Sequence, residues 1–389
     1  MRRWPALVAA ATAGAVAGAL IVLSLPVPGA GEESRDHPSS SAEAVAVEPV
    51  AVDTMLVWTP GQIPAELPER IEALRAVQRL TLVRSGVAWL EGWGERSAPQ
   101  GLAVPVEVAA IDHATYREFV PPADRSTIEG LRGAGAVLGR SSAAIRGIDV
   151  GGVLRFPGHR LRVEGVLDDN LVGAHEVIVG LRQGARLGIE RPRYILVEPR
   201  TGADAASVER AIRRVTPPGV QVRIRRPGET PVFRHGDAVL PQVTVKQLFG
   251  EFAAAPRGDG TLAVEQAWER EHIVSERLPV LGEFRCHRLV MPLVRTALED
   301  LVGRGLGRLV NPADFGGCYY PRFIASDEGS GISHHSWGIA IDLNVSEGLP
   351  GRQPTIDERI VEAFERQGFI WGGRFLIPDG THFEFQRFP

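Results

Sequence analysis

The sequence has little concentrated positive charge. Its 389 residues carry a net charge of −4, a single lysine (Lys246) and no dense Lys/Arg run, so electrostatics give no case for nucleic-acid binding. Only two cysteines occur, Cys286 and Cys318, without a Cys-x-x-Cys pattern, which argues against a thiolate metal site. The Ser-x-x-Lys and Gly-x-Ser-x-Gly patterns of serine hydrolases are also missing.

Enough apolar sequence is present to build real cores. The apolar content of 44% excludes a disordered protein, and the length allows two ordinary domains plus tails. No internal repeat stands out. The remaining question is where the domains lie and which of them carries chemistry.

The N-terminus predicts export. Arg2 and Arg3 precede an uncharged stretch over residues 4–31, and a basic start before an apolar run is typical of a signal segment. The run also reaches the length of about 20 residues that spans a bilayer. Residues 1–31 are therefore predicted to be a signal peptide or a single membrane anchor. Both place the folded part outside the cytoplasm, secreted or anchored, with residues 32–49 as a flexible tether.

The two cysteines fit an exported protein. They could form one disulfide, because export permits oxidation. Spacing alone does not bring two Cα atoms within bonding distance, so a Cys286–Cys318 disulfide and two free thiols both remain open.

Residues 50–240 are predicted to form a mixed α/β module. Helices are expected over 68–79 and 203–215 and strands over 160–167 and 194–197, bounded by Gly, Pro and Asp turns. Its histidines are scattered, so no metal site is expected there. A break near Pro241 separates this module from a C-terminal domain over 243–389. In that domain, one helix is predicted from Pro292 to Gly303, and another after a capping box over 355–358.

Residues 333–344, SHHSWGIAIDLN, carry the first chemical signal. From Gly338 onward apolar residues alternate with small or polar ones, which predicts a strand with Asp342 on its polar face. A carboxylate flanked by core-forming residues is costly to bury unless it is paired or binds a metal. The small residues on the same face leave room for such a partner.

Residues 381–385, THFEF, repeat this alternation with His382 and Glu384 on one face. If the two strands pair, His382 and Asp342 share a face and His335 completes the set. Two imidazoles and one carboxylate leave a fourth position open, the pattern of a catalytic zinc site, so Zn²⁺ is the predicted cofactor.

Two neighbours of the ligands need separate treatment. Asp379, three residues before His382, is placed to accept a proton from water, or alternatively only shapes the turn around Pro378 and Gly380. His334 would point away from His335 on an extended chain and is not counted as a ligand.

These blocks resemble the zinc D-Ala-D-Ala carboxypeptidases and L-alanyl-D-glutamate endopeptidases related to the vancomycin-resistance D,D-peptidases. The family pattern Ser-x-His-x-x-Gly-x-Ala-x-Asp is matched by residues 333–342. Its second block, Asp/Glu-x-x-His followed by an aromatic and often Glu, is matched by residues 379–384, and an upstream Arg by Arg322. The resemblance covers the C-terminal domain.

The resemblance implies a role for each matched position. The residue at position 379 is Asp and not Glu, and in this feature the sequence resembles the endopeptidase branch of the family. Arg322 could instead be a structural ion-pair partner, and Glu384 a solvated strand residue. The implied roles are zinc ligands at His335, Asp342 and His382, a general base at Asp379, an oxyanion or carboxylate contact at Arg322, and support of the ligands by Glu384 and Ser333.

Residues 50–234 resemble the extracytoplasmic domain of macrolide-exporter-type ABC permeases. The resemblance depends on VLGR at 137–140, GIDVGGVL at 147–154 and the strand run at 161–166. It implies a binding or docking module without catalysis, whose protein partners are unknown.

The sequence thus predicts an α+β chain, with a C-terminal zinc peptidase domain of a small antiparallel sheet flanked by helices, preceded by an α/β extracytoplasmic module. The expected reaction is hydrolysis of amides in peptidoglycan stem peptides, as a D-Ala-D-Ala carboxypeptidase or a related endopeptidase. One alternative is a zinc enzyme acting on another amide. The other is a non-catalytic cell-wall or permease-partner protein with a peptidase-like fold, which would be expected to have lost a ligand.

Overall fold

A computed structural model describes residues 54–227, 240–348 and 350–389. The predicted signal or anchor segment and the tether lie outside these ranges. Within them, no helix is both long and apolar enough to cross a membrane. Helices and strands both contribute substantially, and parallel and antiparallel pairing are mixed, which confirms the α+β class.

The N-terminal part of the described chain is built on one large sheet. Its strands are β1 (Met55–Trp58), β2 (Val77–Leu90), β3 (Gly92–Trp93), β4 (Arg96–Ser97), β5 (Val104–Ile111), β6 (Gly135–Gly139), β7 (Val153–Phe156), β8 (His159–Leu167), β9 (Val177–Gly180), β10 (Pro192–Pro199) and β11 (Arg223–Arg225). Its helices are α1 (Leu67–Glu72), α2 (His113–Tyr116), α3 (Arg125–Glu129), α4 (Arg140–Arg146), α5 (Leu181–Arg186) and α6 (Ala205–Val215). We call this part the sheet module.

The strand order is β11-β1-β10-β2-β5-β9-β6-β8-β7-β3-β4. The pairs β5–β9 and β6–β8 are parallel, and the other pairs in the sheet are antiparallel. Strand β5 is buried at every residue because separate apolar clusters cover its two faces, with Val108 in one and Ala109 in the other. This explains why its sequence is nearly continuously apolar.

Predicted elements in this module are mostly confirmed. Helix α6 lies within the predicted 203–215, and strands β8 and β10 contain the predicted strand segments. The helix predicted over 68–79 is wrong beyond its first half, because α1 gives way at Ala73 and β2 begins at Val77. The reason is tertiary: Val77 and Arg79, at the start of β2, pair with β10, and this pairing outweighs local helix propensity.

The C-terminal part has smaller sheets around one apolar core. Its helices are α7 (Gln242–Phe249), α8 (Gln266–His272), α9 (Met291–Gly303) and α10 (Glu358–Arg366). Its strands are β12 (Ala254–Pro256), β13 (Leu262–Val264), β14 (Ile273–Leu278), β15 (Gly282–His287), β16 (Ala340–Asp342), β17 (Phe369–Trp371) and β18 (His382–Phe385). Strands β12–β13 and β14–β15 pair as two-stranded sheets, and β16-β18-β17 form an antiparallel three-stranded sheet. Residues of α9, α10 and this last sheet share one buried cluster, as predicted for a small sheet flanked by helices.

The predicted capping box before α10 is wrong in detail. Asp357 is the N-cap, and its side chain accepts a hydrogen bond from the Arg359 backbone nitrogen. The Thr355 hydroxyl instead donates to the Glu347 carbonyl oxygen at 2.5 Å. The helix itself forms as expected, followed by Gly368 with a φ of +81°.

A buried ion network fixes α7 to the sheet module. Lys246 Nζ lies 2.9 Å from both carboxylate oxygens of Glu176 and donates to the Pro105 carbonyl oxygen at 2.6 Å. The Arg146 guanidinium contacts Glu176 as well and bonds Glu251 at 2.5 Å. The Lys246 and Glu176 side chains are fully buried. The sheet module and the C-terminal part therefore share a paired, desolvated cluster of charges.

Glu107 on β5 adjoins this network. Burial, together with the charge of Glu176, raises the pKa of Glu107 to about 8, so its carboxyl group is mainly protonated at neutral pH. Burial alone would raise the pKa of Glu176 as well, but Lys246 and Arg146 lower it to about 2. The domain boundaries inferred from the sequence, 50–240 and 243–389, stay a prediction.

Candidate metal centre

Strand register places two of the predicted ligands opposite each other. Strand β16 pairs antiparallel with β18, and in that register Asp342 is the direct partner of His382. Apolar neighbours of both residues point into the core, with Ile341 opposite Phe383. The alternation read from the sequence therefore places the carboxylate and the imidazole on the same face of the sheet.

A short helical turn brings in the third ligand. His334–Trp337 form one turn of 3-10 helix, and Ser333 caps it by accepting a hydrogen bond from the His335 backbone nitrogen at 3.4 Å. Gly338 ends the turn with a φ of +66°, and a Cβ there would lie 2.7 Å from the His287 backbone nitrogen. Only glycine fits this position without displacement.

The three residues converge on one point. His382 Nδ1 lies 2.9 Å from Asp342 Oδ1, His335 Nε2 lies 3.2 Å from Asp342 Oδ2, and the two nitrogens are 3.3 Å apart. Zinc bonds of about 2.0–2.1 Å at tetrahedral angles separate neighbouring ligand atoms by about 3.3 Å. Each imidazole nitrogen therefore lies from the other nitrogen, and from one Asp342 oxygen, at about the distance that separates two ligands of one zinc ion.

Hydrogen-bond partners determine which nitrogens carry protons. His335 Nδ1 lies 2.8 Å from the Cys318 carbonyl oxygen, which only accepts, so this nitrogen carries the hydrogen and Nε2 presents a lone pair. His382 Nε2 lies 3.2 Å from Glu384 Oε2, so Nδ1 is the nitrogen that faces Asp342. Two imidazole lone pairs and a carboxylate then meet with no donor between them, an arrangement that requires a cation or a shared proton.

The electrostatics favour positive charge at this point. Burial alone would lower the pKa of His382, but hydrogen bonds and negative charge from Asp342 and Glu384 raise it well above its ordinary value. Burial alone would raise the pKa of Asp342, but the two histidines hold it well below its usual range. The field that favours a proton on His382 also favours a metal cation, and the donor set suits zinc.

Glu384 links two histidines behind the site. Its Oε2 faces His382, and its Oε1 lies 2.9 Å from His334 Nδ1. Burial alone would raise the pKa of Glu384, but these neighbours hold it well below its ordinary value. The sequence argument assumed an extended chain at His334, which the 3-10 turn shows to be wrong. His334 is nevertheless outside the group of ligand atoms able to share a metal.

Of the three proposed ligands, His382 lines a cavity of about 190 Å³. Asp379 lies in its wall, with Oδ1 accepting a hydrogen bond from the Thr381 hydroxyl at 2.9 Å, so this residue both shapes its turn and faces the cleft. The predicted site residues thus come together in one place. The cavity is lined by Arg322, Ile324, Ala325, Ser333, His334, Pro350, Asp379, His382 and Glu384.

Arg322 also lines this cavity. Its guanidinium lies 6.0 Å from the centre of the Tyr320 ring and donates to the Phe323 carbonyl oxygen at 3.4 Å. Its backbone is anchored through Ser336, whose hydroxyl accepts from the Arg322 nitrogen at 2.9 Å. The described structure gives Arg322 no carboxylate partner, so the alternative of a structural ion pair finds no support among these residues.

Cys286 and Cys318 are joined in a disulfide, with their Cα atoms 5.4 Å apart. The bond connects β15 to the segment that precedes Arg322. The Cys318 carbonyl oxygen is also the acceptor for His335 Nδ1. The disulfide therefore fixes the backbone that orients one proposed ligand.

Sequence reasoning missed two contributors to this site. His334 lines the cavity because the turn rotates it towards Glu384. Arg191, in the sheet module, bonds the loop that follows Arg322. The pair of adjacent histidines in the sequence was a signal for His334, but no local sequence pattern indicates a role for Arg191.

Comparison with known protein families agrees with this geometry. Residues 326–385 match the family described as D-alanyl-D-alanine carboxypeptidase, a segment that contains every predicted site residue except Arg322 and the cysteines. The match confirms the resemblance of the C-terminal part to this peptidase family. No curated protein sequence matches the chain.

Solved structures similar to this chain include three bacterial transporter domains. The periplasmic region of MacB from Actinobacillus actinomycetemcomitans has a TM-score of 0.33 and 13% identity, covering 46% of this chain and 90% of that one. A domain of a putative permease from Porphyromonas gingivalis has a TM-score of 0.29 and 15% identity, covering 44% and 86%. The extracellular domain of the transporter YknZ from Gram-positive bacteria has a TM-score of 0.31 and 12% identity, covering 44% and 100%.

Proposed function

We propose that this protein is a zinc-dependent peptidase that hydrolyses amide bonds of peptidoglycan stem peptides, as a D-Ala-D-Ala carboxypeptidase or a related endopeptidase. The supporting observation is the convergence of His335 Nε2, His382 Nδ1 and the Asp342 carboxylate on one point, with no donor between them. These three residues hold the ion. The family match to residues 326–385 supports a peptidase.

The residues around the proposed ligands have separate roles in the proposed reaction. When bound, zinc supplies the Lewis acid that polarises the scissile carbonyl and makes water more acidic. Asp379, in the wall of the same cavity, accepts the proton from water and returns it to the leaving amine. Arg322, which also lines the cavity, stabilises negative charge on the carbonyl oxygen or binds a substrate carboxylate. Glu384 and the Cys318 carbonyl oxygen keep the two imidazoles in the required tautomers.

The proposal includes an extracytoplasmic location. Arg2 and Arg3 before an uncharged stretch support export through the N-terminus. The disulfide between Cys286 and Cys318 belongs to an oxidising compartment, where its substrate, the cell wall, is also found. An extracytoplasmic protein of this kind is either secreted or membrane-anchored, and extraction of cell membranes would distinguish the two.

The direct test measures zinc and hydrolysis on the same sample. Purified protein is assayed on a synthetic stem pentapeptide and on intact sacculi, with and without chelator, beside His382→Ala. The expected result is one zinc per chain and release of D-Ala or a stem fragment, both lost with chelator and in the variant. Leu289→Ala, an exposed apolar residue of the C-terminal part, is the matched control and should retain both.

The outcomes separate the alternatives. Stoichiometric zinc without cleavage of either substrate would contradict the substrate class and favour a zinc enzyme of another amide. Neither zinc nor cleavage would contradict the catalytic proposal. It would favour a non-catalytic cell-wall or permease-partner protein.

A further inference from the structure

One wall of the cavity is a loop that we call the rim loop, residues 324–331. Ile324 and Ala325 at its start line the cavity. The loop is closed at its base, where Phe323 bridges Ile332 and the Ile324 nitrogen donates to the Gly331 carbonyl oxygen at 2.9 Å. Its conformation therefore sets the shape of the cleft next to Arg322.

The rim loop has a backbone that needs outside support. Ala325 and Ser326 have φ values of 53° and 55°, a left-handed region that non-glycine residues rarely adopt. Gly260 contributes to this tight packing, since a Cβ there would lie 2.5 Å from the Ser326 Cβ. Such conformations persist only where surrounding contacts determine them.

The support comes from the sheet module. Arg191 immediately precedes β10, and its Nη1 donates to the Gly329 carbonyl oxygen at 2.8 Å and to Asp327 Oδ2 at 3.0 Å. Asp327 in turn accepts hydrogen bonds from the Gly329 nitrogen and the Ser330 hydroxyl, both at 3.0 Å. One guanidinium thus holds the tip of the rim loop by a backbone and a side-chain acceptor.

Glycine at position 329 makes this contact possible. A Cβ there would lie 2.1 Å from Arg191 Nη2 and 2.2 Å from its Cζ, so the guanidinium lies directly against the glycine. Gly329 does not have a positive φ, so its backbone does not itself require glycine. The close approach of Arg191 is therefore the reason that a side chain does not fit.

A second contact anchors the base of the loop. Trp89 of β2 meets Phe323 edge to face, with ring centres 6.2 Å apart, and Phe323 is almost fully buried. Phe323 directly follows Arg322. The sheet module therefore contacts the rim loop at its tip and at its base, on either side of the residues that line the cavity.

We infer that Arg191 is a positioning residue for the peptidase cleft: by clamping the rim loop, the sheet module sets the geometry in which substrate binds. The inference rests on the proposed function and extends it, because it gives the module a part in building the site. Arg191 acts through the loop and not through the metal ligands, so its loss weakens substrate binding and leaves zinc binding intact.

The test removes the clamp from each side. Arg191→Gln removes the positive charge and the guanidinium hydrogen-bond donors. Gly329→Ala displaces the guanidinium while keeping Arg191. Arg200→Gln is the matched control: Arg200 flanks the other end of β10 and donates to the Arg75 carbonyl oxygen at 3.0 Å, away from the cleft. Zinc content, KM and kcat on the cleaved stem peptide, and amide hydrogen exchange over 324–331 are measured for all of them.

In both clamp variants we expect KM to rise about threefold to tenfold and exchange over 324–331 to accelerate by a similar factor. Zinc content and kcat should stay close to wild type, and Arg200→Gln should change neither KM nor exchange. Unchanged KM and exchange in Arg191→Gln would overturn the inference. If the wild type cleaves no stem peptide, the proposed function fails separately, and unchanged loop exchange would still overturn the clamp.

Discussion

Lys246, the single lysine of the chain, gives the sharpest prediction about stability. Its ammonium group is fully buried and bonded to Glu176 and the Pro105 carbonyl oxygen, with Glu251 3.1 Å away. Lys246→Met removes the charge and nearly preserves the volume. The variant leaves the fully buried Glu176 and the mostly buried Glu251 with Arg146 as the remaining cation of the network.

The expected magnitude follows from the burial. Removing one partner of a buried ion pair costs about 3–5 kcal/mol of unfolding free energy, because the remaining charge is left uncompensated. Arg304→Met, which breaks an exposed pair with Asp300, is the matched control and should cost less than about 1 kcal/mol. The difference between these two substitutions measures the effect of burial rather than of charge pairing as such.

Urea denaturation at neutral pH supplies the measurement. Glu176→Gln and the double variant complete a cycle, and the double variant should be less destabilised than the sum of the single ones by about 1–3 kcal/mol. A Lys246→Met protein within about 1 kcal/mol of wild type, with an unchanged denaturant slope, would refute the reasoning. In that case the network would not couple the two parts of the chain.

Two further predictions concern protonation. Asn at position 379 keeps an acceptor for Thr381, so Asp379→Asn should preserve the turn and bound zinc while kcat falls about 10²–10⁴-fold; retained activity would leave Asp379 a turn residue only. Glu107 has a folded pKa of about 8 against about 4.5 in the unfolded chain, so it holds a proton that unfolding releases. Its contribution to stability therefore falls by about 1.4 kcal/mol per pH unit from about pH 5 to 8, and urea denaturation of Glu107→Gln should lack this slope. Glu176, with a pKa of about 2, is ionised throughout that window. Identical pH slopes in the wild type and in Glu107→Gln would contradict the assignment to Glu107.

The cluster of His335, Asp342 and His382 could be predicted because its determinants are local. His335 and Asp342 lie within one short segment, and the alternation around Asp342 and His382 fixes which face each side chain occupies. A single pairing between β16 and β18 then completes the site. The family resemblance added the roles, and all of them stay predictions, zinc binding by His335, Asp342 and His382 included.

The rest depends on contacts between distant segments. Lys246 and Glu176 are separated by 70 positions and Arg191 and Gly329 by 138, and neither pair leaves a local pattern. The second half of the helix predicted over 68–79 failed for the same reason, because the start of β2 pairs with the distant strand β10. The composition shows that Lys246 is the single lysine, but it does not identify Glu176 as its partner.

The register of the three-stranded sheet has a consequence for engineering this protein. Asp342 and His382 are 40 positions apart along the chain, yet only their pairing brings them together. An insertion of one residue between His382 and Phe383, with Phe383 and Phe385 kept in the core, would turn the imidazole to the opposite face and abolish the site. The connection between the two strands also contains α10, β17 and Asp379, so only its exposed stretch over residues 351–353 can be lengthened to change what the cleft admits while the pairing of Asp342 with His382 is retained.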